Sequence, residues 1–192
     1  MKRLLIILAL LVLVCFNQLT AQTTGNKIPA YPNPNGVSAP FAGFIGDWLV
    51  VYGGCNFPDV PAAQGGTKVY YAEGYALNTA ETDAQWMKLP DLPVPVAYGA
   101  TVSTGSKLYC LGGMNSKSGL KNVYEIRLDT LTKQFSVHQC TSLPVSIDNA
   151  SATTDGQFLY ISGGNQGNND QALYAYPTQG KGKWIKLTNY PG

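Results

Sequence analysis

Short apolar runs that end in a pair of glycines recur three times along the chain. The three runs are Leu49–Gly54, Leu108–Gly113 and Leu159–Gly164. Each run follows a turn sequence, at Asp47, at Gly105-Ser106 and at Asp155-Gly156. Before each turn lies a run of mostly small residues: Phe41–Ile45, Ala97–Ser103 and Ala150–Thr153. Runs of this length, bounded by turn residues, predict pairs of β-strands joined as hairpins.

Each glycine pair is followed by a variable loop and two further apolar segments. The first of these segments contains tyrosine, in Val69–Leu77, Asn122–Leu128 and Gln171–Tyr176. The second carries a large aromatic residue: Trp86, Phe135 or Trp184. Leu89-Pro90, Leu143-Pro144 and Tyr190-Pro191 then close the three copies. Each copy therefore predicts four short strands that follow one another as a meander.

Four short strands repeated about every 50 residues are typical of the blades of a β-propeller. The sequence therefore predicts an all-β, open and partial propeller of three four-stranded antiparallel blades, at about 38–91, 92–144 and 145–192. Residues 22–37 are expected to form a linker or a closing strand. The alternative is a β-sandwich with accidental glycines, which would not explain three copies in register.

The N-terminus has the pattern of an export signal. Lys2 and Arg3 precede the apolar run Leu4–Val14, and a polar stretch ends at Ala21. Eleven apolar residues are too few to span a bilayer, which takes about 20, and the pattern is that of a secretory signal peptide cleaved after Ala21. Cys15 leaves a lipoprotein open as a less favoured alternative. We expect a periplasmic or secreted protein that has no membrane attachment after cleavage.

Charge and cysteine content exclude several classes of function. Loss of Lys2 and Arg3 lowers the 13 basic residues to 11, against 11 acidic ones, so nothing in the net charge attracts nucleic acid or an anionic membrane. The cysteines that remain are Cys55, Cys110 and Cys140. An odd number implies at least one free thiol or a bond to another chain, and their spacing matches no metal signature. No cofactor and no metal are expected.

The glycine pairs with their spaced tyrosines and tryptophans resemble the kelch family over about residues 38–192. The loop Gly53–Asp59, the segment Gly65–Tyr70 and the segments Phe41–Gly43 and Ala97–Gly99 are similar to the cyclically permuted mutarotase branch. That branch includes N-acetylneuraminate mutarotases of the bacterial periplasm. The resemblance implies a sugar substrate of the sialic acid type and a complete ring of about six or seven blades.

Three blades are about half of such a ring. We therefore expect either a truncated or split version of a longer protein, or self-association in which two chains complete a six-bladed ring. An uncovered apolar blade face would otherwise promote aggregation.

The loops after the glycine pairs and the segments before the first strands should lie at one end of the blades, where a ligand could bind. The predicted substrate-binding residues are Asn56, Phe57, Lys68, Tyr98, Asn115, Asp148 and Asn165. Asp59, Gln64, Lys117, Asn149 and Asn168 are expected at the same end. Each of these could instead be an ordinary turn residue. Glu73 is the best candidate for a catalytic acid.

Mutarotation requires a base, an acid and a cation for the substrate carboxylate. The resemblance implies a Glu and Arg pair around a Gly-Leu-Arg-like stretch. If the second repeat is the equivalent blade, this chain has Gly119-Leu120-Lys121 preceded by Asn115 in its place. Under the permuted order that we favour, the catalytic blade would lie beyond Gly192, so in either case the pair is expected to be absent. Arg127 alternates with Glu125 along a strand, which predicts a surface ion pair. We therefore expect weak or no sugar epimerase activity from this chain. The alternative is a non-catalytic kelch module that binds carbohydrate or a protein.

Overall fold

The computed structural model describes residues 28–167, 171–179 and 182–189, and this part of the chain is all-β. The predicted signal peptide, residues 1–21, lies outside the described residues, as do Asn168 and Tyr190-Pro191. Within the described residues, no helix is long and apolar enough to cross a membrane.

Sixteen strands and one short 3-10 turn make up the described structure. The first repeat contains β1 (Phe41–Ile45), β2 (Trp48–Tyr52), β3 (Cys55–Asn56), the 3-10 turn Ala62–Gln64, β4 (Val69–Tyr70), β5 (Gly74–Asn78) and β6 (Met87–Leu89). The second contains β7 (Ala100–Ser103), β8 (Lys107–Leu111), β9 (Val123–Leu128) and β10 (Phe135–Gln139). The third contains β11 (Ile147–Asp148), β12 (Ser151–Thr154), β13 (Phe158–Ser162), β14 (Asn165–Gln166), β15 (Ala172–Pro177) and β16 (Ile185–Asn189).

Each repeat forms one four-stranded antiparallel sheet whose strands follow the chain order. The sheets are β1-β2-β5-β6, β7-β8-β9-β10 and β12-β13-β15-β16, and the short pairs β3-β4 and β11-β14 are separate. The prediction of an all-β chain with four-stranded antiparallel sheets is confirmed. None of the sheets closes on itself, and the arrangement is consistent with an open, partial propeller.

The three sheets pack face to face in chain order. Successive side chains of a strand point to opposite faces, and β8 shows this clearly. Leu108 and Cys110 belong to the apolar cluster shared with the first sheet. Tyr109 and Leu111 belong to the cluster shared with the third sheet, which includes Leu159. The middle sheet is therefore covered on both faces.

The first strands of the three sheets lie side by side, with β1 against β7 and β7 against β12. Just before these strands, Ala39, Tyr98 and Asn149 occupy equivalent positions with left-handed φ values of 51°, 62° and 53°. The N–H of Tyr98 donates to the Ala39 carbonyl at 2.9 Å, and the N–H of Asn149 donates to the Tyr98 carbonyl at 2.7 Å. This backbone chain, which we call the inner ladder, links the three repeats.

The glycine pairs allow neighbouring repeats to approach closely. A Cβ atom on Gly53 would lie 2.4 Å from the Val96 carbonyl oxygen, and one on Gly112 would lie 2.2 Å from that of Ile147. The next residue in each pair, Gly54 or Gly113, donates its N–H to the same carbonyl at 2.8 Å. Only glycine fits where backbones meet at this distance with positive φ.

Two predicted strands differ substantially from the observed ones, and the strands predicted to hold Trp86 and Trp184 begin one residue later, at Met87 and Ile185. The predicted strand Ala97–Ser103 begins only at Ala100, because Tyr98 has left-handed backbone geometry. The predicted strand Val69–Leu77 is split into β4 and β5, since the intervening backbone bonds to the glycine pair instead. There, Gly53 donates its N–H to the Glu73 carbonyl at 2.9 Å.

Candidate functional site

Lys68 and Tyr98 join the first two repeats at the end of the sheets where the inner ladder lies. Lys68 Nζ donates to Tyr98 Oη at 2.8 Å, and it lies 5.0 Å from the centroid of the Tyr98 ring and 5.6 Å from that of Phe57. The Cys55 thiol donates to Tyr98 Oη at 3.5 Å. The hydrogen bond to Tyr98 raises the pKa of Lys68. A cationic ammonium group is thus held in place by two aromatic rings and one hydroxyl.

A cavity of about 550 Å³ lies beside this lysine, between loops of the first and second repeats. Its lining includes Lys68, Tyr70, Val94, Asn115, Ser116 and Lys117. The Asn115 side-chain oxygen accepts hydrogen bonds from the N–H groups of Lys117 at 2.9 Å and Ser118 at 3.2 Å. Two ammonium groups, a hydroxyl, an amide and a phenol suit an anionic ligand that carries hydroxyl groups.

The third repeat contributes an acidic group near this cavity. Asp148 Oδ1 accepts hydrogen bonds from the side-chain amides of Asn149 at 2.6 Å and Asn165 at 2.8 Å. Burial raises the pKa of Tyr70, the Lys68 ammonium lowers it, and Asp148 is one of the charges that raise it. Lys68 and Asn115 line the same cavity as Tyr70, which is not among the predicted site residues, and the charges of Lys68 and Asp148 both act on the pKa of that phenol.

Asn56 has a structural role within the first repeat. Its amide nitrogen donates to the Gly36 carbonyl at 2.7 Å, and its amide oxygen accepts from the Tyr71 hydroxyl at 2.7 Å. These bonds hold the segment before β1 against β3. Asp59 and Gln64 are exposed on the β3–β4 loop. The amide of Asn56 therefore has its main hydrogen-bonding groups committed within the protein.

Glu73 lies on a different cavity from Lys68. This cavity, of about 230 Å³, is lined by residues that include Tyr31, Asn33, Glu73 and Tyr75. The Glu73 carboxylate accepts a hydrogen bond from the N–H of Ala72 at 3.1 Å. Burial raises the pKa of Tyr31 to about 12, with smaller contributions from Tyr75 and Glu73. The acid proposed from the sequence and the best-placed cation do not line the same cavity.

Glu125 is the buried charge of the second sheet. It is only 5% exposed, and it accepts hydrogen bonds from Tyr109 at 2.9 Å, Lys107 at 3.3 Å and Arg127. The predicted ion pair between Glu125 and Arg127 is confirmed. The prediction that this pair lies at the surface is wrong for the Glu125 carboxylate, which is buried. The register places Tyr109 opposite Glu125 and Lys107 opposite Arg127, so strand pairing gathers donors around a carboxylate that would otherwise be unpaired.

The three cysteines that the structure describes carry free thiols, with Cys55 and Cys110 buried and Cys140 half-buried. The imidazole of His138, which is exposed on β10, lies 3.0 Å from Ser136 Oγ. Across residues 28–167, 171–179 and 182–189, no group of three or more His, Cys, Asp or Glu side chains could hold a metal ion.

Comparison with known proteins gives a partial match. No family model matches the chain. The chain is 29% identical over 101 residues to an N-acetylneuraminate epimerase of Haemophilus influenzae, a match that covers 45% of this chain and 26% of that protein. It is 36% identical over 90 residues to the N-acetylneuraminate epimerase of Yersinia enterocolitica, covering 42% and 22%. That of Salmonella typhimurium is 28% identical over 94 residues, covering 46% and 24%.

These similarities support a relationship to a mutarotase-like family. The matched segment covers only about a quarter of the length of the Haemophilus protein. The activity and substrate of the complete relatives are therefore matters for proposal in this chain.

Proposed function

We propose that the chain is an exported, partial kelch-type β-propeller that binds an acidic sugar of the sialic acid class. Each four-stranded sheet would be one blade, at about residues 38–91, 92–144 and 145–192. The sheets packed in series, the side-by-side first strands and the similarity to N-acetylneuraminate epimerases support this proposal. Residues 1–21 would direct export to the periplasm or out of the cell and would be removed by cleavage after Ala21.

The observation that carries the proposal is the fixed ammonium group of Lys68 at the edge of the cavity. A sialic acid has a carboxylate, several hydroxyl groups and an apolar ring face. Lys68 would pair with the carboxylate, Asn115 and Ser116 would bind hydroxyls, and Tyr70 would pack against the ring. Because Tyr98 already holds Lys68, little side-chain entropy would be lost on binding.

Binding is better supported than catalysis. Interconversion of anomers requires an acid and a base within hydrogen-bonding distance of the same sugar. Glu73 lines another cavity, with Tyr31 and Tyr75, and the resemblance places the family's Glu and Arg pair in a stretch that this chain does not reproduce. We therefore propose that the chain binds the sugar with weak or absent epimerase activity, so that a non-catalytic carbohydrate-binding module is favoured over an active enzyme.

Calorimetric titration of the chain from Gln22 onward with N-acetylneuraminate would test sugar binding. The methyl ester of N-acetylneuraminate, which keeps the sugar but removes the negative charge, is the matched control ligand. We expect binding of N-acetylneuraminate that weakens as salt is added, and at least tenfold weaker binding of the neutral sugar. Equal binding of both sugars, or of neither, would reject the Lys68 site. Anomer exchange measured by NMR on the same sample then separates a binding module from an enzyme.

A further inference from the structure

Among the described residues, the third glycine pair has no neighbour of the kind that covers the first two. Gly54 and Gly113 are buried and donate their N–H groups to the carbonyls of Val96 and Ile147. Gly164 is exposed, and within the described residues its N–H has no hydrogen-bond partner. A Cβ on the preceding Gly163 would meet no atom of the described chain within 4 Å. The end of the third sheet is therefore shaped to receive a backbone carbonyl.

The matching carbonyl occurs at the other end of the same chain. Val96 and Ile147 each lie two residues before a member of the inner ladder, and Val37 lies two residues before Ala39. Across residues 28–167, 171–179 and 182–189, neither the Val37 carbonyl nor the Ala39 N–H makes a hydrogen bond. The carbonyl of Asn149, at the far end of the ladder, is equally unpaired within that part of the chain.

The segment before β1 is also built like the segments that run between sheets. Ile28–Pro34 reads Ile-Pro-Ala-Tyr-Pro-Asn-Pro, and Leu89–Pro95 reads Leu-Pro-Asp-Leu-Pro-Val-Pro. The indole of Trp86 donates to the Pro29 carbonyl at 3.1 Å. Trp184 makes the equivalent bond to Thr141, in the segment between the second and third sheets, at 3.0 Å. The first sheet therefore already carries an inter-sheet segment on its outer face.

The outer face of the third sheet is apolar, and no described part of the chain packs on it. Leu159 and Ile161 face the second sheet, so Phe158 and Tyr160 point away from it. Tyr160 and Ile185 both pair with Ala175, which places them on this outer face. Ile185 and Leu187 are each 49% exposed.

We propose that these two ends dock on each other between two copies of this chain. The third sheet of one copy packs on the first sheet of the second copy, with the segment Ile28–Val37 between them. Gly164 N–H then donates to the Val37 carbonyl of the second copy, and Ala39 N–H of that copy donates to Asn149. Two such contacts related by a twofold rotation close a ring of six sheets. The unpaired donors and the unpaired acceptors that they match lie at opposite ends of the same chain. A second copy of this chain therefore supplies the partner that each end needs.

Analytical ultracentrifugation of the chain from Gln22 onward tests this docking. The key variant is Gly163→Ala, whose methyl group would meet the Val37 carbonyl of the second copy. The control is Gly105→Ala, which has a similar φ (83° against 79°) and equally open surroundings in the described chain but lies away from the interface. We expect dimers of the wild type and of Gly105→Ala at about 100 μM, and at least tenfold weaker association of Gly163→Ala.

A second pair of variants uses side chains instead of backbone. Ile185→Asp places a charge on the outer face of the third sheet, and Leu131→Asp places one on an equally apolar but 92% exposed turn residue. We expect a folded monomer for Ile185→Asp and a dimer for Leu131→Asp. A monomeric wild type, open polymers in place of dimers, or equal dimerisation of Ile185→Asp and Leu131→Asp would overturn the proposal.

Discussion

The ammonium nitrogen of Lys68 lies 2.8 Å from the phenol oxygen of Tyr98, and this contact ties a surface loop of the first repeat to the inner ladder. The backbone of Tyr98 is itself bonded on both sides, to Ala39 and to Asn149. Its left-handed φ of 62° turns the ring toward Cys55 and Lys68. The position of the cation is therefore set by how the three repeats stack.

The first prediction separates the charge of Lys68 from its positioning. Lys68→Gln should weaken N-acetylneuraminate binding about tenfold or more, because charge-assisted hydrogen bonds contribute about 1.5–3 kcal/mol. Tyr98→Phe keeps the ring but loses the hydroxyl that holds the ammonium, so a smaller loss of about threefold to tenfold is expected. Calorimetry measures both. Lys183→Gln, at an exposed lysine of the third repeat, is the control, and the Lys68 site is refuted if all three variants bind alike.

The second prediction concerns the close approach at Gly112. Gly112 and Gly105 both have positive φ, at 64° and 83°. A Cβ on Gly112 would lie 2.2 Å from a backbone oxygen, whereas one on Gly105 would meet no described atom within 4 Å. Gly105→Ala should cost about 1–2 kcal/mol of unfolding free energy from its φ alone. Gly112→Ala should cost more than about 3 kcal/mol, because overpacking against backbone is added.

Urea denaturation followed by circular dichroism measures this difference. The m-value, which is the slope of the unfolding free energy against urea concentration, should be the same for Gly105→Ala as for the wild type. An unchanged m-value shows that the same structure unfolds in both proteins. Equal losses in the two variants would mean that the contact between Gly112 and Ile147 is not tight in solution.

The four-strand pattern could be predicted because each strand is encoded locally. Apolar runs, turn residues and glycine pairs recur in each copy, and the observed strands lie within a few residues of the expected ones. The left-handed residue Tyr98 could not be predicted, because nothing in its local sequence resembles a turn. Its geometry depends on hydrogen bonds to Ala39 and Asn149, which are 59 and 51 residues away.

The candidate site was predictable as a region but not as a set of contacts. Alternating strand direction brings Lys68 and Asn115 to one cavity. Strand direction also places Glu73, five residues after Lys68, at this end of the first repeat. The chain between them passes β4 and then turns, and the segment around Tyr31 forms a separate cavity over Glu73. The cavity that the Glu73 carboxylate lines is therefore determined by the packing of the segment around Tyr31, which is distant in sequence.

The third prediction concerns stability against pH through Glu125. Burial raises the pKa of this carboxyl, but hydrogen bonds from Arg127, Tyr109 and Lys107 outweigh it, so the pKa is lowered overall. A folded-state pKa below the unfolded value stabilises the protein above the unfolded pKa, and this stabilisation is lost as pH falls through the folded pKa. The melting temperature of the wild type should therefore fall more steeply below about pH 4.3 than that of Glu125→Gln.

At neutral pH, Glu125→Gln should be less stable than the wild type by about 2 kcal/mol, because charged hydrogen bonds become neutral ones. Melting curves between about pH 3 and pH 7 measure both effects. Asp91→Asn is the control, because this carboxylate pairs with Lys88 at an exposed site. If the melting temperatures of the wild type and of Glu125→Gln fell in parallel at acid pH, the proposed role of the buried Glu125 carboxylate would be contradicted.

The fourth prediction concerns the order in which the thiols react. Cys55 and Cys110 are buried and Cys140 is half-buried, and burial raises the pKa of both Cys110 and Cys140. A thiol must be exposed and deprotonated to react, so an aromatic disulfide reagent at pH 8 should label Cys140 first and the other two only as the protein opens. Cys140→Ser should remove the early phase while leaving two slow thiols that react at once in denaturant. An early phase that survives in Cys140→Ser would show that Cys55 or Cys110 is exposed in solution. The first and second sheets would then pack more loosely in solution than in the structure.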